Sequence, residues 1–410
     1  MPRVPTDILI SGGGVAGLTA AAAFGSAGFR VICVDPTAPV TSDAAAGADL
    51  RTTTFLQPAR ALLADAGLWD RLAPHAAPLK VMRIADAGGD SRAPPVVKDF
   101  VAAEISDHPF GWNLPNWRLR REMVARLAEL PNVGFRTGVG TAAVLTREAE
   151  ALVTLTDGTV ISAQLLIAAD GRNSPVRDAV RIAVHTTRYG QKALAFAVTH
   201  AKPHDDISTE VHRSGGPFTL VPLPDRDGLA SSAVVWMDRG PEVLRLAALP
   251  VTEFEAAMTA RSANLCGALR LATERSVWPI ISQIAARFDG ERTALVAEAA
   301  HVVPPIGAQG LNMSLADLAC LLGLARASPA RLGDRAMLTA YHRRRWPEVK
   351  ARVTAIDLLN RTSMLAAPGL HDLRAGTLNA LYALAPLRKS LMRAGLGIGR
   401  APHDVQEAQP

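Results

Sequence analysis

Three glycines near the amino terminus, Gly12, Gly14 and Gly17, form a GxGxxG pattern between a predicted strand and a predicted helix. Glycines at this spacing permit a positive-φ turn, a close approach of the backbone to a pyrophosphate and tight packing of the helix on the strand. The predicted helix begins at Val15 and Ala16, whose N–H groups lack partners within the helix and would face the phosphates.

A carboxylate closes the same βαβ unit. Asp35 ends the second predicted strand, 23 residues after Gly12, where an acid accepts hydrogen bonds from ribose hydroxyls. Strand, turn, helix and terminal acid together predict a dinucleotide site, and a plain βαβ turn is the structural alternative. NAD and FAD both fit this first cluster.

A second polar cluster follows the apolar run LLIAADG, which is typical of a strand buried in a sheet. Asp170 and Gly171 end this run. A carboxylate near phosphates is repelled unless it accepts hydrogen bonds from backbone N–H groups or from ribityl hydroxyls. The cluster is consistent with a cofactor contact and equally with an ordinary polar turn.

A third cluster lies in LVAEAAHVVPPIGAQGLNMSLADL, where a buried strand leads through paired prolines and glycines into a helix. Prolines make a rigid wall, and Gly307 and Gly310 let the backbone run against a flat ring system. The N-terminus of the following helix would direct its dipole at an anion, such as a reduced flavin. The cofactor-binding candidates here are Glu298, Pro305, Gly307, Gln309, Gly310, Leu311 and Asn312.

The elements that must position these clusters indicate an α/β protein. A Rossmann-like dinucleotide-binding domain is interleaved with a substrate domain built on an antiparallel sheet, and helices follow at the carboxyl end. We assign residues 1–75, 112–185 and 276–340 to the first domain, 76–111 and 186–275 to the substrate domain, and 341–410 to a basic helical region. Pro347, Pro368 and Pro386 are expected to break the helices of that region.

Length and composition limit the remaining possibilities. A chain of 410 residues can enclose a sizeable cofactor, and no run of eighteen apolar residues predicts a membrane span. The first strand begins near Asp7, which leaves no room for a signal peptide, so we expect a cytoplasmic protein. Cys33, Cys266 and Cys320 lie in apolar contexts and indicate neither a disulfide framework nor a metal site.

Taken together, the three clusters resemble those of the class A flavoprotein monooxygenases, which carry an N-terminal GxGxxG, a central DG and a C-terminal GD motif. Within that class, the sequence most resembles the ubiquinone-biosynthesis hydroxylases. The resemblance runs along the segments RTTTFLQPARALLADAGLWDRL, FGWNLPNWRL and STEVHRSGGPFTLVPLP. The resemblance implies FAD as the cofactor of the discontinuous domain. It also adds Arg51 and Arg118 to the cofactor contacts, the latter chosen among Asn116, Trp117 and Arg118.

Three positions depart from the motifs of that family. Ala297 and Glu298 stand where the family has GD, and Ala308 replaces the glycine before Gln309. Glu298 keeps the carboxylate with one extra methylene, so contact with the ribityl chain is retained as an expectation.

The resemblance implies an aromatic-ring hydroxylase. In such enzymes NAD(P)H reduces the flavin, and O2 then forms a C4a-hydroperoxide that transfers one oxygen to an electron-rich ring. The expected substrate is a polyprenylated phenol of ubiquinone biosynthesis. The alternatives are a soluble aromatic or secondary metabolite, and a weakly catalytic flavin-binding member of a quinone-biosynthesis complex.

Residues around the expected substrate are harder to assign. Phe218, Leu220 and Pro222 are candidates to line the pocket, although they would suit an ordinary sheet core as well. His301 and Pro305 would lie beside the flavin, with His301 either orienting the loop or moving a proton. No catalytic base is assigned.

The carboxyl-terminal region concentrates positive charge. From Tyr341 to Arg400 eleven Lys or Arg stand against three acids, which gives a balance of +8, while the whole chain carries +6. Basic amphipathic helices of this kind rest on anionic membranes, so contact with the inner face of the cytoplasmic membrane is one expectation, and a solvated or oligomeric face is the other. Other quinone-biosynthesis proteins are possible partners, and nucleic acid is not expected.

Overall fold

The computed structural model describes residues 3–45, 49, 51–87, 95–213, 215–364 and 382–396. Within those residues, an eight-stranded sheet is assembled from three distant parts of the chain. Its strands are β1 (Arg3–Ser11), β2 (Val31–Asp35), β8 (Val133–Thr137), β9 (Thr141–Thr146), β10 (Ala151–Leu155), β11 (Val160–Ala168), β18 (Asp289–Gly290) and β19 (Thr293–Leu295).

The centre of this sheet is parallel, in the order β19-β11-β1-β2-β8. Register places Ser11 beside Ala168, and Ala168 beside Leu295. Since parallel strands end at the same edge, the segments that follow these three residues emerge side by side. This topology brings the three sequence clusters together.

The second large sheet is almost wholly antiparallel and has nine strands in the described part of the chain. They are β5 (Val81–Asp86), β6 (Val96–Val101), β12 (Val184–His200), β13 (Ile207–Arg213), β14 (Gly216–Arg226), β15 (Leu229–Arg239), β16 (Leu269–Leu271), β17 (Ser276–Ala285) and β20 (His301–Val302). Residues 276–285 were expected in the dinucleotide-binding domain, but β17 pairs with β12 and extends this sheet instead.

A small third sheet joins β3 (Thr52–Leu56), β4 (Ala77–Leu79) and β7 (Gly111–Pro115). The helices are α1 (Val15–Ser26), α2 (Gln57–Asp65), α3 (Trp69–Leu72), α4 (Asn116–Ala128), α5 (Pro175–Ala179), α6 (Gly240–Ala248), α7 (Val251–Arg261), α8 (Ala297–Ala300), α9 (Gln309–Ala327), α10 (Arg335–Met364) and α11 (Ala385–Leu396). Short 3-10 turns lie at Ala73–His75, Ala102–Glu104 and Pro329–Arg331.

The two faces of the nine-stranded sheet carry side chains of different size. On β12, Leu194, Phe196 and Val198 pack in a core with Val243 of α6 and Phe254 of α7. Alternate residues point to the opposite face of a strand, and next to these three residues β12 carries alanines there, at positions 193, 195 and 197. Small side chains on that face leave room between the sheet and the dinucleotide-binding domain.

The carboxyl-terminal helices differ from expectation at one proline. Helix α10 continues through Pro347, which was expected to break it. Ion pairs from Arg345 and Arg352 to Glu348, together with a hydrogen bond from Trp346 Nε1 to the Ala285 carbonyl, hold the helix on both sides of the missing N–H. Pro386 lies in the first turn of α11, where proline is tolerated, and Pro368 lies outside the described residues.

The described helices include none that is both long and apolar enough to cross a membrane. The predicted fold class is confirmed, since a Rossmann-like sheet, an antiparallel sheet and carboxyl-terminal helices are all present.

Candidate functional site

The glycine turn after β1 has the geometry that a phosphate site requires. Gly12 has φ +107°, and a Cβ there would overlap the Ala169 carbonyl. A Cβ on Gly17 would overlap the Gly12 carbonyl, so α1 packs tightly on the strand. At Gly14, by contrast, a Cβ would meet no atom within 4 Å. The open space therefore lies at the start of α1, which has no side-chain cap on its N–H groups.

Asp35 is bound to the glycine turn itself. Its Oδ2 accepts the N–H of Gly13 at 2.6 Å, and its Oδ1 accepts the N–H of Thr37 at 2.8 Å. The carboxylate thus fixes the turn at the end of β2. Contact with a ribose remains a prediction.

Asp170 lies at the carboxyl end of β11 with one oxygen satisfied and one not. Oδ2 accepts the N–H of Val176 at 3.2 Å and the hydroxyl of Ser11 at 3.4 Å. Oδ1 is buried and has no partner among the described residues. Burial raises the pKa of Asp170, and hydrogen bonds oppose the rise only in part. A buried oxygen without a hydrogen bond lowers the stability of the free protein. It can accept a hydrogen bond from a hydroxyl group of a ligand.

The two alanines that replace family glycines keep a glycine-like backbone. Ala297 has φ +54° and Ala308 has φ +56°, both in the left-handed region. That region costs a residue with a Cβ roughly 1–2 kcal/mol. The chain therefore retains the loop conformation at both positions despite the substitutions.

Glu298 follows Ala297 and lines the central cavity. Its Oε2 lies 3.3 Å from Nε of Arg172, and half of its side chain is exposed. Gly310 and Leu311, at the start of α9, line the same cavity, as does Pro305. Gly307 has φ +63°, so its residue type suits the turn.

Two other predicted contacts serve to hold the loop. Asn312 accepts the N–H of Leu56 at 2.8 Å and donates to the carbonyl of Thr54 at 2.7 Å, which ties α9 to β3. Gln309 donates to the carbonyls of Gly307 and Gly395 and accepts from Arg352. Both side chains act on neighbouring elements and are absent from the cavity lining.

The cavity itself has a volume of about 430 Å³ and lies between the N-termini of α1 and α9. One wall is the alanine face of the nine-stranded sheet, with Ala195, Ala233 and Val235, and Trp278 and Ile280 of β17 lie beside it. Two helix N-termini that converge on one cavity favour a ligand with two separate electron-rich groups.

Cationic side chains surround Asp49 at the edge of this cavity. Arg51 binds it through Nε and Nη2 at 2.7 and 2.8 Å, Arg120 donates at 3.1 Å and Asn116 at 3.0 Å. Burial alone would raise the pKa of Asp49, but the hydrogen bonds from Arg51 and Asn116 and the charge of Arg120 hold it below its usual value. Arg51 also lies over the ring of Trp278, 5.6 Å from its centroid.

Helix α4 places Asn116 and Arg120 in the cavity and leaves the predicted Arg118 out of it. Arg118 lies over the ring of Trp117 at 4.5 Å and does not line the cavity. Residues four apart share one face of a helix. Arg120 could therefore have been recognised from the sequence if Asn116 had been selected as the cofactor contact. Sequence reasoning did not identify Arg120 or Asp49.

His301 is locked in place by an acid. Its Nε2 lies 2.6 Å from Oδ2 of Asp317, and both side chains are almost fully buried. Oδ1 of Asp317 accepts from Nε of Arg345 at 2.7 Å. Nδ1 of His301 is buried without a partner among the described residues, and the residue borders the cavity. This geometry favours orientation of the loop over proton transfer to a ligand.

The predicted pocket residues lie on the other face of the sheet. Phe218 and Leu220 are fully buried in the core with Trp236, under α6 and α7. Pro222 follows the same alternation, and none of the three lines the cavity. On β14, the neighbouring positions Thr219 and Val221 pair with Val235 and Ala233, which do border it.

Fold and site together define a flavoprotein of the monooxygenase type. The family described as "FAD binding domain" matches residues 5–355. Ubiquinone hydroxylase UbiL of Rhodospirillum rubrum is 32% identical, over 98% of this chain and 93% of that protein. The chain therefore belongs to the FAD-binding-domain family and, within it, to the flavin-dependent hydroxylases of ubiquinone biosynthesis.

Other relatives agree with that assignment. The 3-demethoxyubiquinol 3-hydroxylase of Escherichia coli is 25% identical, over 97% of this chain and 100% of its own. The p-nitrophenol 4-monooxygenase of Pseudomonas putida shares the fold, with a TM-score of 0.79, 18% identity and coverage of 98% of this chain and 100% of that one. FAD is the cofactor, and NAD(P)H with O2 is the usual reactant pair of the class.

The residues present fit FAD. Gly14 leaves open space at an uncapped helix start, and Oδ1 of Asp170, whose neighbours Ala169 and Gly171 line the cavity, is buried without a partner among the described residues. The second helix N-terminus, at Gly310 and Leu311, faces the other end of the cavity.

Proposed function

We propose that this enzyme hydroxylates the aromatic ring of a polyprenylated phenol in ubiquinone biosynthesis. One observation carries the proposal: a cavity bounded by two helix N-termini is closed on its third side by the small apolar residues Ala195 and Ala233. A phenol ring fits an apolar wall of this kind, and two of the relatives named above are a ubiquinone hydroxylase and a 3-demethoxyubiquinol 3-hydroxylase by their names.

FAD would be held at both ends of this cavity. The N–H groups at Gly14, Val15 and Ala16 would bind the pyrophosphate, and Asp170 with Glu298 would bind the ribityl chain. Arg51, Arg120 and Asn116 offer further donors to the phosphates. Bound FAD supplies electron transfer from NAD(P)H and the activation of O2.

The other residues of the cavity control its polarity. Backbone N–H groups at Gly310 and Leu311 hold negative charge at the start of α9, which stabilises an electron-rich ring placed there. Trp278, Ile280 and Val235 exclude water from the substrate side. We assign no base to the phenol, and we propose that His301 keeps the loop at Val302 and Val303 in position.

We also place the enzyme on the inner face of the cytoplasmic membrane, where a polyprenylated substrate resides. The support is the basic carboxyl-terminal region together with exposed leucines on α10 and α11, among them Leu358 and Leu387. Other quinone-biosynthesis proteins are candidate partners at that surface.

Quinone profiling of a deletion strain tests this function. The proposal predicts accumulation of a polyprenylated intermediate that lacks one ring hydroxyl, and complementation by the wild-type gene should remove it. A normal quinone profile together with active, yellow protein would favour a soluble aromatic substrate. Yellow protein that lacks hydroxylase activity, with the same defect in the strain, would favour the weakly catalytic flavin-binding role that the departure at Ala297 and Glu298 suggests, and colourless protein that takes up no FAD would count against the enzyme.

A further inference from the structure

Helix α11 carries apolar residues on two opposite faces. Leu384, just before it, and Leu387 and Leu391 are 57%, 41% and 48% exposed and follow one another at helical spacing. Met392 and Leu396 point inward and are buried at 8% and 6% exposure. A helix that covers an apolar cluster and also exposes a leucine stripe has an outer face suited to a second apolar environment.

The charge of α11 indicates which environment that is. The helix contains Arg388, Lys389 and Arg393 and no acidic residue. Arg388 is engaged by Glu104 of the main body at 2.6 Å, whereas Arg393 is exposed beside the leucines. Leucines flanked by basic side chains are complementary to the headgroup region of an anionic bilayer.

Beneath α11, apolar contacts lead without interruption to the cavity. Met392 and Leu396 pack in a cluster with Leu56 and Phe110, against which Val221 of β14 also packs. Val221 is the register partner of Ala233 and packs with it, and Ala233 borders the cavity. We call this path, from Leu396 through Val221 to Ala233, the apolar strip.

Among the described residues, few polar contacts join α11 to the rest of the protein. Besides the Arg388 pair, the Gly395 carbonyl accepts from Nε2 of Gln309 at 3.1 Å. Gln309 begins α9, beside the cavity-lining Gly310 and Leu311. The helix is thus attached at the loop whose position determines the site.

We infer that α11 docks on an anionic phospholipid bilayer through its leucine stripe, and that the hydrocarbon tail of the substrate then occupies the apolar strip in place of Met392 and Leu396. This inference rests on the proposed function, since it assigns the site of the substrate's tail. The tail runs from the bilayer along Val221, and the ring reaches the cavity at Ala233.

Vesicle flotation tests the docking. FAD-loaded full-length protein should float with phosphatidylglycerol-containing vesicles, and the double variant Leu387→Gln/Leu391→Gln should bind more than about tenfold more weakly. Lys389→Gln/Arg393→Gln should lose about thirtyfold on these vesicles. The matched control Leu244→Gln/Val251→Gln, at residues on α6 and α7 that are at least as exposed, should bind as the wild type does.

Two results would overturn the docking: vesicle binding that the α11 variants leave intact, or a leucine-dependent dimer in light scattering without vesicle binding. Flavin content and NAD(P)H oxidation with a short-tailed phenol are measured in the same preparations. Loss of flavin or of NAD(P)H oxidation in the wild-type protein would count against the proposed function. Normal flavin content and oxidation without vesicle binding would count against the docking of α11 alone.

Tail length tests the strip. Val221→Trp fills it, so KM for a long-tailed phenol should rise at least about tenfold while KM for a short-tailed phenol stays unchanged. Val184→Trp, at an exposed position of β12, is the control, and Val221→Phe replaces the tryptophan variant if that protein is unstable. Equal effects on both substrates would refute the assignment of the strip.

Discussion

Nε2 of His301 and Oδ2 of Asp317 lie 2.6 Å apart in the interior, and the second oxygen of Asp317 binds Arg345. From Arg345 the network continues through Glu348 and Arg352 to Gln309. It therefore joins β20 to α9 and α10 around the flavin loop. Buried charges need such partners, because an unpaired charge in the interior is strongly destabilising.

Removal of Asp317 should be among the most destabilising changes near the site. Asp317→Ala leaves Arg345, whose side chain is 8% exposed, with Glu348 as its ion-pair partner and the Met313 carbonyl as an acceptor, and we expect a loss of about 3 kcal/mol in the free energy of unfolding. Urea denaturation measures it. Asp65→Ala, which breaks the exposed pair with Arg326, should cost less than about 1 kcal/mol. Equal losses in the two variants would contradict the importance of the buried network.

His301→Gln tests whether the histidine moves a proton. Since Nε2 is held by Asp317 and the side chain is almost fully buried, the variant should keep the wild-type pH dependence of kcat/KM even if its FAD affinity falls. Steady-state kinetics across the range of histidine titration would measure this. Loss of one limb of the pH profile would make His301 a catalytic residue.

Gly14→Val should abolish FAD binding without unfolding the protein. The new side chain enters space in which a Cβ meets no protein atom and in which the pyrophosphate is expected. Flavin fluorescence titration and thermal melting of the free protein separate the two effects. Gly323→Val on α9, also in open space, should retain FAD. Normal FAD affinity in the Gly14 variant would refute the assignment of the phosphate site.

Ala297→Gly should stabilise the protein, because φ +54° costs alanine more than glycine. After allowance for the greater freedom of glycine in the unfolded chain, we expect a gain of about 0.5–1 kcal/mol. Ala351→Gly, within helix α10, should instead destabilise by about 1 kcal/mol. Chemical denaturation measures both, and a loss of stability in the Ala297 variant would show that its Cβ makes a compensating contact.

Asp170 should make the stability of the free protein depend on pH. Burial raises its folded pKa, so its stabilising contribution is complete below the unfolded pKa and is lost as the pH rises through the folded value. The melting temperature of Asp170→Asn should therefore rise relative to that of the wild type as the pH increases above about 4, the usual pKa of an aspartate in an unfolded chain. FAD affinity should fall in the same variant.

Asp157 provides a control of opposite sign for that measurement. Backbone and side-chain hydrogen bonds from Thr159 lower the pKa of Asp157, so its contribution is present above the unfolded pKa and is lost as the pH falls. The melting temperature of Asp157→Asn should fall relative to that of the wild type as the pH rises. The same trend in both variants would contradict the assignment for Asp170.

The sequence predicted those parts of the site that depend on backbone geometry. Gly12, Asp170 and Ala297 follow neighbouring parallel strands, and glycine spacing with strand order is sufficient to bring them together. Long-range contacts were not predictable in this way. Nothing local to Asp49 indicates that Arg120, on a helix far along the chain, donates to it.

The substrate side was less predictable for a geometric reason. Adjacent residues of a strand point to opposite faces, so the choice between Leu220 and Val221 depends on which face the helices cover. Both faces of β14 carry apolar residues, and the alternation alone does not distinguish them. The covering helices α6 and α7 come later in the chain, and their apolar faces settle the matter only in the folded protein.

The central claim is that FAD bound in this cavity supports hydroxylation of a polyprenylated phenol. Its most direct test is mass spectrometry of the product formed by purified enzyme, NAD(P)H and a polyprenylated phenol under isotopically labelled dioxygen. We predict a product that carries one labelled oxygen on the ring, and none in the Gly14→Val variant. An unmodified phenol recovered from FAD-saturated enzyme that oxidises NAD(P)H would contradict it.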